Sequence, residues 1–318
     1  MLPAVTERPA LVRRRELLAR ALEGAPALVA SSRPRPRNYA ADQFAFRASS
    51  HFLYLFGLAA QDGMGLYDGE RWTLYLPDPG PDDALWDGEV PGFVEVSERV
   101  GCPVRSRSEL PAALKGRPVA TLPTPDVETC LELEALLGRE VRPRRLQPVD
   151  VPLADALVAL RLRHDDAAVA QLKQAADVTV AAYRAGMRAT RPGLREASVR
   201  AVMEAEFMAR NVRPAYQPIV TVHGEVLHNL QYHHELHAGE LVLADVGGES
   251  PGGFACDVTR TWPVSGRFST TQRELYAVVL RMQKAAIAAV RPGVRYREVH
   301  FTAHRALAQG LVELDILR

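Results

Sequence analysis

Apolar residues recur at helical spacing over residues 7–22, with Leu11, Leu17, Leu18 and Leu22 on one side, and predict an amphipathic helix. The run APALVAS at 25–31 reads as a short buried strand. A proline-punctuated loop at 32–38 separates it from FAFRASSHFLYLFG at 44–57, whose dense aromatics read as core. Residues 63–76 (GMGLYDGERWTLYL) predict a hairpin turning at Asp68-Gly69. A polar, Pro/Asp/Gly-rich loop around Trp86 fills 77–91. Beyond it, strand-like pieces (VEVSERV at 94–100, RPVATLP at 117–123) alternate with helical ones at 108–115 and 126–138. That alternation predicts an α/β domain. A long helical pattern then runs from 154 to 190, and its charged start, RLRHDDAAV, reads as an exposed linker helix. A domain boundary is placed near residue 150, giving 1–150 and 151–318.

The second half repeats itself. RPG at 191–193 opens a helical pattern running to about Asn211, and RPG at 291–293 opens another running to about Leu314. Each follows one long helix and precedes an amphipathic one, at an offset of 100 residues. A duplicated unit follows. In the first copy, strands are expected at 215–223 and 226–232, followed by a hairpin. In the second, the sequence stops just after the helix, so roughly 50 further residues are expected from the repeat itself. The sequence is therefore read as ending mid-domain.

That hairpin, 240–264, carries the chemistry. Its two strands each hold one aspartate among apolar residues, Asp245 and Asp257. With a turn centred near Pro251 the two become cross-strand partners, with Cβ atoms roughly 4.5–5.5 Å apart. Facing carboxylates in a half-buried sheet repel and lose solvation, so they need a cation or a shared proton. A metal site is the expectation. Two carboxylates are too few to hold a divalent ion well. Nearby lie His223, His228, His233, His234 and His237, of which His228 is the functional candidate because it follows the apolar Val226-Leu227 on an expected strand. His300 and His304 have the i, i+4 spacing of a helical zinc pair, but Phe301 stands where the general base would be, so they read as ordinary helix residues.

Composition narrows the alternatives. Net charge is +1, which makes no electrostatic case for nucleic acid or an anionic membrane. Lysine occurs only at Lys115, Lys173 and Lys284. Cys102, Cys130 and Cys256 are far apart and odd in number, which argues against a disulfide framework and a thiolate zinc site. The charged N-terminus does not read as a signal peptide and no apolar run reaches transmembrane length, so a cytoplasmic protein is expected. GxSxG, P-loop and Rossmann fingerprints are absent.

LADVG at 243–247 and DVTRTW at 257–262 resemble the DxG…DxTRT signature of the pita-bread metallopeptidases, in their Xaa-Pro aminopeptidase and prolidase branch. RN at 37–38, FRASSHFLYLFG at 46–57 and DDALWDG at 82–88 are similar to the start of aminopeptidase P proteins. The resemblance implies an α/β (α+β) fold, with a creatinase-like N-terminal domain at 1–150 and a pita-bread catalytic domain at 151–318. It implies two divalent metal ions, usually manganese, with cobalt or zinc as alternatives, and a metal-activated hydroxide that releases the residue before proline. Asp245 would chelate one metal and Asp257 bridge both. His228, in its Leu227-His228 context, would bind substrate and stabilise the transition state, and Tyr216 would lie near the site. Peptides with proline second are the implied partners, and a homodimer or larger assembly the implied state. The three other ligands of the pattern, a histidine and two glutamates, would fall after Arg318, so the chain as written is expected to be inactive. Alternatives are a prolidase cutting Xaa-Pro dipeptides, a metal-free binding module on the same fold and, less in keeping with the aspartates, a creatine hydrolase.

Overall fold

The computed structural model describes residues 6–86, 88–114 and 116–318. They form two compact units. The first runs to Asp177 and includes 248–256; the second comprises 178–247 and 257–318.

The first unit is built on a five-stranded mixed sheet. Its elements are α1 (Arg8–Leu22), β1 (Ala27–Ala30), α2 (Ser50–Phe56), β2 (Met64–Tyr67), β3 (Trp72–Leu76), α3 (Asp83–Trp86), α4 (Phe93–Val100), β4 (Val104–Ser106), α5 (Leu110–Leu114), β5 (Ala120–Thr121), α6 (Val127–Leu137), α7 (Val151–Arg161) and the start of α8 (Asp166–Ala189). Strand order is β4-β3-β2-β1-β5, with β1/β5 and β3/β4 parallel. Alternate residues feed two cores. Val29, Tyr67 and Leu74 pack with α1, α2 and α7, while Leu28, Leu66 and Tyr75 pack with α5 and α6. A sheet covered on both faces explains strands that read as unbroken apolar runs. The hairpin turns where expected. The Asp68 carboxylate accepts from the amides of Glu70 and Arg71, both at 2.9 Å, and Gly69 takes φ 103°.

Three sequence expectations change here. Residues 94–100 form helix, not strand: Val96 and Val100, one helical turn apart, are buried while Val94 is exposed, and Gly101 caps the end at φ 70°. The 154–190 pattern is two helices. It breaks at 162–165, where Asp165 accepts from the Ala168 amide at 2.7 Å and starts α8. On α1, Leu11, Leu18 and Leu22 are buried but Leu17 is exposed, while Arg14 and Arg15 are buried. Their guanidiniums donate to the Tyr54 and Leu55 carbonyls that end α2, at 3.1 and 2.7 Å, and Arg14 also pairs with Asp165. Lys115, at the end of one expected helix, lies outside the described residues.

The second unit packs the rest of α8 and α9 (Glu196–Met208) against an antiparallel sheet. Short β6 (Arg213–Pro214) leads to β7 (Ile219–Thr221), β8 (Leu241–Asp245) and, beyond the two-residue β9 (Gly248–Glu249) of the first unit, β10 (Thr259–Pro263), in the order β10-β8-β7. The expected strand at 226–232 does not form. Val226 and Leu227 are 51% and 82% exposed, so this apolar pair has no core to enter. α10 (Thr270–Ala289) and α11 (Tyr296–Glu313) follow. The repeat is visible in the backbone: helices end at Ala189 and Ala289 and begin again at Glu196 and Tyr296, with Gly193 at φ 85° and Gly293 at φ 86° between them. None of the described helices is long and apolar enough to cross a membrane, and the three cysteines are free thiols.

Candidate metal centre

Strand β8 alternates. Val242 and Ala244 point into the core with Val246, Phe207 and Tyr183, while Leu241, Leu243 and Asp245 lie on the half-open face. Tyr183 secures the core side. Its hydroxyl donates to the Ala244 carbonyl at 2.8 Å and also contacts the Val258 carbonyl, holding the two strands together beneath the aspartates. Burial, then the nearby Asp245 and Asp257 charges, push this phenol well above its usual range, so it stays protonated. Trp262 packs edge-on against it with ring centroids 6.2 Å apart.

The register differs from the one expected. Asp245 stands opposite Thr259, and the Glu249↔Ala255 bridge keeps the same count, so the turn centres on Gly252 rather than Pro251. Asp257 is therefore two residues from being the partner of Asp245. A shift of two leaves both carboxylates on one face but makes them diagonal neighbours, typically about 7–8 Å apart. Nor are they core groups: Asp245 is half-buried and Asp257 exposed.

Tyr216 spans the diagonal. Its hydroxyl oxygen lies 2.6 Å from Asp245 Oδ1 and 3.1 Å from Asp257 Oδ1. The segment before it is pinned by the Ala215 amide donating to the Gly247 carbonyl at 2.8 Å. Burial, the hydrogen bond to Asp245 and the two negative charges raise the Tyr216 phenol far above its usual range. It is a donor at any working pH. Tyr216, Gln217, Ile219, His228, Leu230, Asp245 and Asp257 line a single cavity of about 360 Å³. All four residues singled out from sequence meet there.

The remaining histidines do not converge on this cavity. His223 meets His234 edge-on and His233 lies tilted against it, with ring centroids 4.4 and 4.0 Å apart. His300 and His304 lie exposed on α11. Sequence reading missed Gln217, Ile219 and Leu230 in the cavity wall and Tyr183 beneath it; a tyrosine at a core-facing helical position was the one available signal for the last.

The donor chemistry fits a hard divalent cation in part. Two carboxylate oxygens converge on one point, now held by the Tyr216 hydroxyl, and carboxylate oxygen suits magnesium, manganese or zinc. The set stops at two, because no group of three or more His, Cys, Asp or Glu among the described residues is placed to hold a metal.

An α/β domain followed in sequence by a helix-backed antiparallel sheet, with two aspartates on its open face, is the architecture of the pita-bread class. Residues 170–315 match metallopeptidase family M24, and residues 11–118 match the N-terminal domain of aminopeptidase P. The chain thus carries a family M24 domain behind an aminopeptidase P-type N-terminal domain. Xaa-Pro aminopeptidase 1 of Streptomyces coelicolor is 31% identical over 296 residues, which cover 86% of this chain and 58% of that protein. The chain thus spans less than two thirds of this relative's length. Aminopeptidase PepP of Pseudomonas aeruginosa superposes with a TM-score of 0.86 at 26% identity, covering 99% of this chain and 75% of that one. Escherichia coli aminopeptidase P, in a variant complexed with substrate, gives 0.84 at 26%, covering 97% and 74%.

Proposed function

We propose that the protein is a metal-dependent exopeptidase that releases the N-terminal residue from Xaa-Pro peptides. Residues 1–150 would form the creatinase-like N-terminal domain and 151–318 the catalytic domain. The observation that carries this reading is the convergence of Asp245, Asp257, Tyr216 and His228 on one cavity. Asp245 and Asp257 would hold divalent cations, manganese first, with cobalt or zinc as alternatives. Bound ions of this kind polarise a scissile carbonyl and lower the pKa of water.

The chain's own residues do the rest. His228 supplies an imidazole donor at the cavity wall for a substrate carbonyl. Tyr216, held protonated, orients both carboxylates. Ile219 and Leu230 give an apolar wall against which a proline ring can lie. Peptides with proline second are the proposed partners, and a cytoplasmic homodimer or larger assembly the proposed setting.

With two carboxylates in the cluster, residues 1–318 alone would bind metal weakly and leave peptides uncut. The test offers an Xaa-Pro-Xaa tripeptide and an Xaa-Pro dipeptide, with Mn²⁺, to two proteins. One is this chain; the other is a chimera continuing it with the matching C-terminal segment of Escherichia coli aminopeptidase P. Tripeptide cleavage by the chimera alone, abolished in Asp245→Asn, is the expected result. Cleavage of the dipeptide only makes the protein a prolidase. A second reading, a peptide-binding module without turnover, draws on the same two-carboxylate count; peptide binding unaffected by Asp245→Asn and Asp257→Asn would favour it.

A further inference from the structure

His228 sits where no regular element holds it. Residues 222–234 are irregular, and Val226 and Leu227 beside it are exposed. We propose that Glu196 is a positioning residue for His228: its buried carboxylate clasps both ends of the 222–234 segment and, through Thr221, the residue next to His228. The proposal rests on the reading of His228 as a substrate-contacting group.

Glu196 opens α9, and its side chain is fully buried. Oε1 accepts from the Thr221 hydroxyl and from the Val222 amide, both at 2.9 Å. Oε2 accepts from the His234 amide at 3.2 Å and lies 3.0 Å from His234 Nδ1. One carboxylate therefore ties the start of the segment to its end. The backbone reinforces the far end, where the Glu196 and Ala197 amides donate to the His234 and Tyr232 carbonyls at 3.0 and 3.1 Å.

The link to His228 runs through Thr221. Its proton is committed to Glu196, so its lone pairs are free to accept. They take the Asn229 side-chain amide at 3.1 Å and the His223 backbone amide at 2.9 Å. Asn229 follows His228 directly, and its own Oδ1 accepts from the Gln231 amide at 3.3 Å. The base of this chain is rigid, because α9 buries Val199, Met203 and Phe207 in the core. The clasp thus passes the order of a packed helix to an exposed loop.

A carboxylate is the group this position needs. Donors converge on both oxygens, and a carboxylate offers acceptor sites only. An amide would turn a donor toward one set of them. The shorter Ser, Thr or Asp could not reach both ends of the segment from the first turn of α9.

The test is amide hydrogen exchange with histidine-labelled NMR on the whole chain, in Thr221→Val, Thr221→Ser and Asn229→Ala. Thr221→Val and Asn229→Ala are expected to speed exchange at 223–233 at least tenfold and to move the His228 ring signals toward their unfolded positions. Exchange in α9 and in Leu241–Asp245 should hold. Thr221→Ser, which keeps the hydroxyl, should behave as the native protein. The proposal fails if Thr221→Val leaves 223–233 protected, if it loosens β8 equally, or if Thr221→Ser matches Thr221→Val. Should Thr221→Val not fold, Asn229→Ala at its half-buried loop position decides the question alone. Titrating the native chain with an Xaa-Pro peptide separates the two readings. An unmoved His228 signal counts against the peptidase reading, while the exchange data still judge the clasp.

Discussion

Tyr216 and Asp245 are joined by a 2.6 Å hydrogen bond, and the same hydroxyl lies 3.1 Å from Asp257. One phenol thereby offsets the repulsion of two carboxylates that share a sheet face. Tyr216→Phe removes that compensation without changing shape. The expected result is a loss of about 1.5–3 kcal/mol in the metal-free protein, the usual cost of a hydrogen bond to a charged group. Mn²⁺ should then raise the Tm of the variant more than that of the native chain, because the cation takes over the role of the phenol. Thermal melts with and without Mn²⁺ check this; an equal rise in both proteins would show that metal does not bind between the aspartates.

His51 gives a pH dependence. Burial, and then the positive charge of Arg161, push its imidazole down to about 4. Arg161 Nη1 lies 3.3 Å from His51 Nδ1, so the neutral ring serves as an acceptor. The unfolded chain titrates near ~6.5. Between those values the unfolded state takes up a proton that the native state refuses, so stability is full above about pH 6.5 and falls as pH drops toward 4. His51→Gln keeps an acceptor and cannot charge, and its stability should change less over that window. Urea melts across the window and a histidine NMR titration provide the measurement. A His51 midpoint near ~6.5 would contradict the argument.

Asp150 is a buried structural carboxylate. It accepts from the Thr121 amide at 2.8 Å and the Gln147 amide at 3.1 Å, and it pairs with Arg139. Asp150→Ala leaves those donors unpaired and should cost about 3 kcal/mol. Asp150→Asn keeps one acceptor and should recover part of the loss. Chemical denaturation reads both.

Gly310 marks the contact of α11 with α10. A methyl group there would sit 2.4 Å from Val278 Cγ1 and 2.9 Å from Cγ2. Alanine in a helix interior ordinarily gains about 1 kcal/mol over glycine. Here overpacking should reverse the sign and cost about 1–3 kcal/mol. In the double variant with Val278→Ala, the loss should be smaller than the sum of the two singles. Additive losses would place the contact elsewhere.

Much of the fold and part of the site were legible along the chain, because the signals involved are local. Turn chemistry at Asp68-Gly69, helical spacing over 7–22, and the paired RPG punctuation at 191 and 291 each depend on a few neighbouring residues. The equal spacing of Asp245 and Asp257 from Pro251 likewise put both aspartates on one sheet face, and an error of one residue in the turn centre did not disturb that, since it moves the pairing by two and strand side chains repeat every two.

What only the tertiary structure decided were the choices that depend on what lies opposite. Residues 94–100 have β-branched composition but become helix, because only Val96 and Val100 find a core. Residues 226–232 read as strand yet remain loop, because Val226 and Leu227 meet no apolar partner. The diagonal between Asp245 and Asp257, its bridging by Tyr216 and the Glu196 clasp behind His228 join residues from 29 to 41 positions apart for the bridge and up to 38 for the clasp. Local pattern carries no information about such pairs: which donor reaches which acceptor is set by the packing of α9 and the sheet as whole bodies.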